Sequence, residues 1–220
     1  MDKAVHWIIC VILLGITTAV VGEPRGNALY AAHCSACHGD TGNGGVGVPL
    51  SLPSFLGSVD DQFLRLTIRH GRPGRVMPAF SYLSDAQVNA IVGFIRGWSK
   101  KPAPEFSDKP IPGDVQHGKQ LFAVECADCH GENGEGGRGT GVTFSRKREL
   151  PITPPALNNP GFLVAASDEM IRHTLKSGRL GTPMDSFLEE GLSEQDLDDL
   201  VSYVRSWYKQ QPQTGRRAAT

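Results

Sequence analysis

The chain has 220 residues, 40% hydrophobic and 7% aromatic, with 22 basic and 23 acidic side chains and a formal net charge of −1. That length holds one ordinary domain or two small ones, and the even charge excludes a general nucleic-acid binder, which would be markedly basic. So few aromatics point to something besides side chains, a metal or a cofactor, at the centre of each small core.

The N-terminus reads as a targeting segment. One lysine and the free amine precede a largely apolar run from Ala4 to Val21, and Val20 and Gly22 are small enough for a cut before Glu23. A cleaved signal peptide is expected over residues 1–22, with an uncleaved anchor as the other reading, since the apolar run approaches the length of a membrane span. Both readings place the rest outside the cytoplasm. Both assign His6, Trp7 and Cys10 to the leader, which leaves four cysteines for the mature chain.

Beyond the leader the chain is a tandem repeat. "GNALYAAHCSACHGDTGNGG" at 26–45 matches "GKQLFAVECADCHGENGEGG" at 118–137; "GRPGRVMPAF" at 71–80 matches "GRLGTPMDSF" at 178–187; "LSDAQVNAIVGFIRGW" at 83–98 matches "LSEQDLDDLVSYVRSW" at 192–207. The blocks keep their order, so the chain divides into modules over 23–100 and 113–209. Between them, 101–112 belongs to a proline-rich stretch expected to be an extended, semi-rigid spacer. Residues 210–220 read as a disordered tail.

Each module reads as helical, and neither contains a stretch that alternates like a strand. Gly26 to Ala36 and Gly118 to Asp128 are expected to form the short helix that delivers the first cysteine. The next helix is expected to start from Ser58 as N-cap and stop at Gly71, and in the second copy to run from Ser167 to Gly178. The last helix is the clearest. Ser84 and Gln87 predict a capping box. Val88, Ile91, Val92 and Ile95, matched by Leu197, Leu200, Val201 and Val204, recur at helical spacing. Phe94 with Trp98, and Tyr203 with Trp207, add aromatic bulk.

The four cysteines stand as Cys34-x-x-Cys37 and Cys126-x-x-Cys129, each followed directly by a histidine, His38 and His130. A zinc site would gather its C-x-x-C pairs within one small domain, and a thioredoxin-like motif would sit in a βαβ pattern. Ordinary disulfides suit an exported chain but leave both histidines unexplained. Covalent haem attachment accounts for all three residues at once. The two thiols form thioethers to the porphyrin vinyl groups, and the imidazole one residue on points at the iron. Two covalently attached haem c groups are therefore expected.

The other axial ligand is expected from the repeat. Beyond each motif stand His70 and Met77, then Met170, His173 and Met184, and only Met77 and Met184 occupy matching positions, each behind a "GR-x-G-x-x" loop. A His/Met pair would fill both axial positions of each iron, leaving none for substrate and raising the reduction potential above that of bis-histidine ligation. The expected metal ligands are thus His38, Met77, His130 and Met184.

The string "CSACH…GRPGRVMPAF…LSDAQVNAIVGFIRGW" resembles a class I cytochrome c domain, and the tandem resembles the dihaem cytochromes c of bacteria, including the cytochrome c4 type, over roughly residues 25 to 209. The resemblance implies an all-α fold: two tandem class I cytochrome c domains, each a small helical fold around its haem. First and last helices would cross near Gly26/Tyr30 with Phe94, and near Gly118/Phe122 with Tyr203. It also sets Arg72 and Arg179 near haem propionates. The second copy departs from the pattern in one respect. His130 to Met184 is longer than His38 to Met77, the extra residues falling mainly in 139–155, with the run Arg146-Lys147-Arg148. That segment is expected to be a solvated loop, with a docking site for a redox partner as the other reading.

Charge divides unevenly, seven basic against five acidic groups in 23–100 and 12 against 15 in 113–220, so different partners are expected to face the two ends. The function expected is a periplasmic one-electron carrier between respiratory or dehydrogenase donors and a terminal oxidase or reductase. The alternatives are an electron-transfer subunit of an oxidoreductase complex and, less favoured, a dihaem enzyme of the peroxidase or thiosulfate dehydrogenase type. Expected partners are redox proteins. Membrane contact would come only through an uncleaved N-terminal segment or a membrane-bound redox complex.

Overall fold

Both copies of the repeat fold the same way. In the computed structural model, which describes residues 23–137 and 154–209, the first module comprises α1 (Gly26–His33), α2 (Ser35–His38), α3 (Pro53–Gly57), α4 (Asp61–His70) and α5 (Asp85–Arg96). The second comprises α6 (Val115–Glu125), α7 (Ala127–His130), α8 (Pro160–Ala165), α9 (Asp168–Ser177) and α10 (Glu194–Lys209). No strand occurs among the described residues, and none of their helices is long and apolar enough to cross a membrane. The leader, most of the 139–155 insertion with its basic run, and the tail lie outside the described residues.

The frame of each module is the crossing of its first and last helices, and two small residues permit it. A Cβ on Gly26 would lie 2.0 Å from the Ala90 carbonyl oxygen, and one on Gly118 would lie 2.0 Å from that of Asp199. With only hydrogen there, the backbones touch, and a cage of three rings closes beside the contact: Tyr30, Phe94 and Trp98 in the first module, Phe122, Tyr203 and Trp207 in the second, with centroids 4.9–5.4 Å apart. Such tilted and edge-to-face pairs add to the area they bury. The predicted helical stripes are inside: Val88, Ile91, Val92 and Ile95, and Leu197, Leu200, Val201 and Val204, are all buried.

The caps corrected one boundary. Ser84 and Gln87 form the expected capping box, and Ser167 caps α9 through the Met170 N–H. In the first module, however, Asp60 caps α4 and not Ser58; its carboxylate accepts from the Phe63 N–H at 2.6 Å. Ser58 is buried two residues earlier, its hydroxyl donating to the Phe55 carbonyl at the end of α3. The early helices also differ from expectation. Each ends just before its first cysteine, and a separate turn of helix, α2 or α7, carries the rest of the motif.

A second device repeats in both modules. Arg96 on α5 donates to the Asp61 carboxylate (2.5 Å) and to the Leu56 and Val59 carbonyls (2.7 and 2.5 Å). Arg205 on α10 does the same to Asp168, Leu163 and Ala166. One guanidinium thus satisfies the carbonyls freed between two consecutive helices and pairs with the acidic first turn of the second.

The modules are not independent beads on a spacer. Their buried side chains form one continuous core, joined where Phe63 meets Phe162 edge-on at 6.3 Å. Helix α4 packs against α8, closely enough that a Cβ on Gly161 would lie 2.1 Å from the Gly71 carbonyl oxygen. The proline-rich segment carries no helix or strand and is strapped to the second module. Phe106 packs on His173 at 5.3 Å, the Ile111 N–H donates to Asp168 at 2.9 Å, and Ser202 on α10 donates to the Ile111 carbonyl at 3.1 Å.

Candidate functional site

The single turn of α2 gathers Cys34, Cys37 and His38. The amides of Cys37 and His38 both reach the Cys34 carbonyl, at 3.2 and 2.9 Å. In α7 the amides of Cys129 and His130 reach the Cys126 carbonyl at the same two distances. Both turns end on a glycine at positive φ, Gly39 (78°) and Gly131 (83°), a conformation that glycine adopts without penalty. The chain can then double back at once along the histidine, and a Cβ on Gly47 would lie 2.7 Å from the His38 ring.

All four motif thiols are free, with no disulfide between them. Burial, with a smaller contribution from Cys37, pushes the Cys34 thiol up to about 11. Burial followed by Glu125 and Cys129 pushes Cys126 up to about 12.

Both imidazoles are buried and pinned through one nitrogen. Nδ1 of His38 is 2.8 Å from the Val48 carbonyl oxygen, and Nδ1 of His130 is 2.9 Å from that of Pro155. A carbonyl only accepts, so Nδ1 carries the proton and Nε2 is left as a lone-pair donor. That arrangement fixes tautomer and ring direction in metal-bound histidines. Burial pulls both pKa values below the usual histidine range, against the opposing carbonyl hydrogen bond, and at His130 the charge of Arg179 adds to the lowering. Neutral, oriented imidazole beside two thiols on one turn fits covalently held haem.

The methionines stand on separate loops of matching construction. After Gly71 the Arg72 N–H closes on the Met77 carbonyl at 2.9 Å, and the Phe80 N–H returns to Ile68 on α4. After Gly178 the Arg179 N–H closes on Met184 at 2.6 Å, and Phe187 returns to Leu175 on α9. Both methionines are partly buried. The other candidates are placed elsewhere: Met170 is core, His173 lies under Phe106, and His70 ends α4.

Sequence reasoning passed over three groups of residues. Val48 and Pro155 orient the histidines through backbone oxygens and leave no mark in side-chain type. Arg96 and Arg205 were visible in the repeat, since both they and their acidic partners recur. His117 and Asp199 join α6 to α10 at 2.8 Å, and Asp199 also receives the Asp114 N–H; this pair has no counterpart in the first module.

Comparison with known families matches this arrangement. The cytochrome c oxidase cbb3-type subunit III family matches residues 23–95, and the cytochrome c family matches residues 115–207. The chain is a tandem of two cytochrome c domains. Two such domains in tandem carry two covalently bound haem c groups, so the protein is a dihaem cytochrome c. Among curated relatives, the cbb3-type oxidase subunit CcoP of Rhodobacter capsulatus is 27% identical over 215 residues, covering 86% of the cytochrome and 66% of the relative. The subunit FixP of Azorhizobium caulinodans is 30% identical over 133 residues, covering 55% and 42%. The dihydro-heme d1 dehydrogenase of Pseudomonas aeruginosa is 42% identical over 85 residues, covering 38% and 17%. The cytochrome thus spans less than two thirds of each of these relatives. A chain of the Kuenenia stuttgartiensis reducing HAO-like protein complex Kustc0457/Kustc0458 shares its fold, with a TM-score of 0.57 and 24% identity over 84% of the cytochrome and 98% of that chain.

Proposed function

We propose that the cytochrome is an exported one-electron carrier with two six-coordinate haems, ligated by His38 and Met77 in the first module and by His130 and Met184 in the second, with thioethers at Cys34, Cys37, Cys126 and Cys129. When bound, haem supplies the one-electron couple between ferric and ferrous iron. The observation that carries the reading is the doubled pairing of a carbonyl-pinned imidazole with a methionine loop closed on its own arginine amide. The chain's own task would then be to hold the haem iron through Nε2 of His38 and His130 and the thioethers of Met77 and Met184, to exclude water, and to keep the reaction to electrons. The apolar leader supports export to the periplasm, where the donor would be a respiratory complex or dehydrogenase and the acceptor a terminal oxidase or reductase.

A second reading has support of its own. The relatives from Rhodobacter and Azorhizobium are named as oxidase subunits, so the cytochrome would serve as the electron-transfer subunit of an oxidoreductase complex. Purification at native abundance separates the two: a freely diffusing carrier elutes alone, a subunit with its complex. The ligand set is tested on the oxidised protein. The near-infrared charge-transfer band of a methionine–ferric bond is expected in wild type and reduced in the Met77→Ala and Met184→Ala variants. Absence of the band in wild type, or ready carbon monoxide binding at both ferrous haems, refutes six-coordination.

A further inference from the structure

The seam between the modules closes on its own groups. The Arg72 guanidinium lies 5.9 Å from the Phe162 ring centroid and donates to the Gly161 carbonyl at 3.0 Å. The Arg179 guanidinium lies 5.3 Å from the Phe55 centroid, and Asn159 donates to the Pro73 carbonyl at 2.8 Å. The crossing of α6 and α10 is different: it carries charge that no basic side chain balances. There His117 on α6 meets Asp196 and Asp199, which stand three residues apart on one face of α10. Nδ1 of His117 is 2.8 Å from Asp199 Oδ2 and 3.8 Å from Asp196 Oδ1. One donor atom from each of the three side chains lies within 4.8 Å of the others, a spread that suits ligands around a single cation bound at about 2.0–2.2 Å.

Both carboxylates are held from behind. Asp199, with a side chain only 4% exposed, takes the Asp114 N–H and the Gln195 amide on Oδ1 and turns Oδ2 toward His117. Asp196 takes the Ser193 N–H and hydroxyl on Oδ2 and turns Oδ1 toward the same imidazole. Each is thus anchored through one oxygen and presents the other to a common point, as outer-shell partners do for metal ligands. The hydrogen bond to Asp199 raises the His117 pKa, and the charges of Asp199, Asp196 and Asp114 add to it. None of these three carboxylates pairs with a lysine or arginine among the described residues. Even a protonated imidazole leaves the group two charges negative.

The helix crossing itself does not require the cluster. The first module makes the same close crossing with Arg25, Gln87 and Ala90 at the positions equivalent to His117, Asp196 and Asp199.

We propose that His117, Asp196 and Asp199 form a divalent-cation site that fastens α6 to α10 in the second module. One imidazole nitrogen with two carboxylate oxygens suits a borderline ion such as Zn²⁺ over Mg²⁺ or Ca²⁺, which favour oxygen ligands. The cation takes the place of the proton that Nδ1 shares with Asp199, so binding competes with protonation, and the coordination left open goes to water. The inference is independent of the haem ligands and of the redox partners.

The test is isothermal titration of Zn²⁺ into the chelator-treated, full-length dihaem protein at pH 7 and pH 5. Wild type is expected to bind one equivalent at pH 7, and to bind it about tenfold or more weakly at pH 5. Asp196→Asn keeps an oxygen to cap Ser193 and leaves the His117–Asp199 hydrogen bond in place, yet should weaken binding about 100-fold. His117→Gln should abolish it, whereas His33→Gln and His173→Gln, which remove histidines outside the cluster, should leave it unchanged. Zinc should also raise the melting temperature of wild type and not that of Asp196→Asn. Absence of binding to wild type at pH 7 up to about millimolar zinc, or an equivalent that survives in both Asp196→Asn and His117→Gln, would overturn the proposal.

Discussion

Replacing Arg205 by methionine keeps most of the side chain's length and removes its charge and donors. In the native protein that guanidinium pairs with Asp168 and donates to the Leu163 and Ala166 carbonyls. The pair is well shielded, with side-chain exposures of 16% and 12%. Breaking one partner of such a pair typically costs about 3–5 kcal/mol, because the other charge stays behind. Here two carbonyls also lose their donor, at about 1–3 kcal/mol each where no water replaces it; the contributions overlap, and the expected loss is about 3–5 kcal/mol. The strap is affected too, since Asp168 also receives the Ile111 N–H. Arg96→Met in the first module provides the internal comparison. Its partner Asp61 is 41% exposed, so water can re-solvate it, and the expected loss is smaller, about 1–3 kcal/mol. Urea denaturation of the oxidised protein, followed by far-ultraviolet circular dichroism and by the haem Soret band, measures both. A loss under about 1 kcal/mol for Arg205→Met, or a larger loss for Arg96→Met than for Arg205→Met, would refute the reasoning.

The helix crossings are expected to be intolerant of a single methyl group. Gly118→Ala places a Cβ against the Asp199 carbonyl oxygen and should destabilise by about 1–3 kcal/mol or more, whereas Gly93→Ala, with open space around it, should be neutral or stabilising by about 0.5–1 kcal/mol. Thermal unfolding of the pair distinguishes packing from helix propensity. The His117–Asp199 clasp should act as a pH-dependent fastener. The His117 pKa is raised, mainly by its hydrogen bond to Asp199, so the stability it adds is fully present below the ordinary histidine value near 6.5. It is lost as pH rises through the raised folded-state value. The melting temperature of wild type should therefore exceed that of His117→Gln at pH 5 and converge on it at alkaline pH; a difference independent of pH would count against the clasp.

The repeat was legible because duplication doubles every signal. A lone Met77 is filler by default, but its match to Met184 made it a ligand candidate, and the structure builds the same closed loop around both. The long last helices were legible from period and caps. The short helices α3 and α8 were not, since five or six residues with a proline at the start are too few to show a period. The Ser58 cap failed because two acceptors stood within three residues, and tertiary packing decided between them: Ser58 turned inward to Phe55, and Asp60 took the cap. What the sequence hid most completely was the seam. Nothing local to Arg72 indicates that its nearest ring beyond its own module is Phe162, ninety residues away in the chain.

The way the modules meet has a consequence for the two irons. Arg72 over Phe162 and Arg179 over Phe55 are one contact made twice, but the seam as a whole is not symmetric: α4 packs on α8, and among the described residues no comparable contact joins α9 to α3. The modules are copies in sequence and yet cannot exchange places. Only two identical surfaces related by a two-fold axis force identical surroundings, so each half of this chain gives its own iron a setting of its own. Two irons in different settings need not hold an electron equally, and that inequality gives the electron a direction.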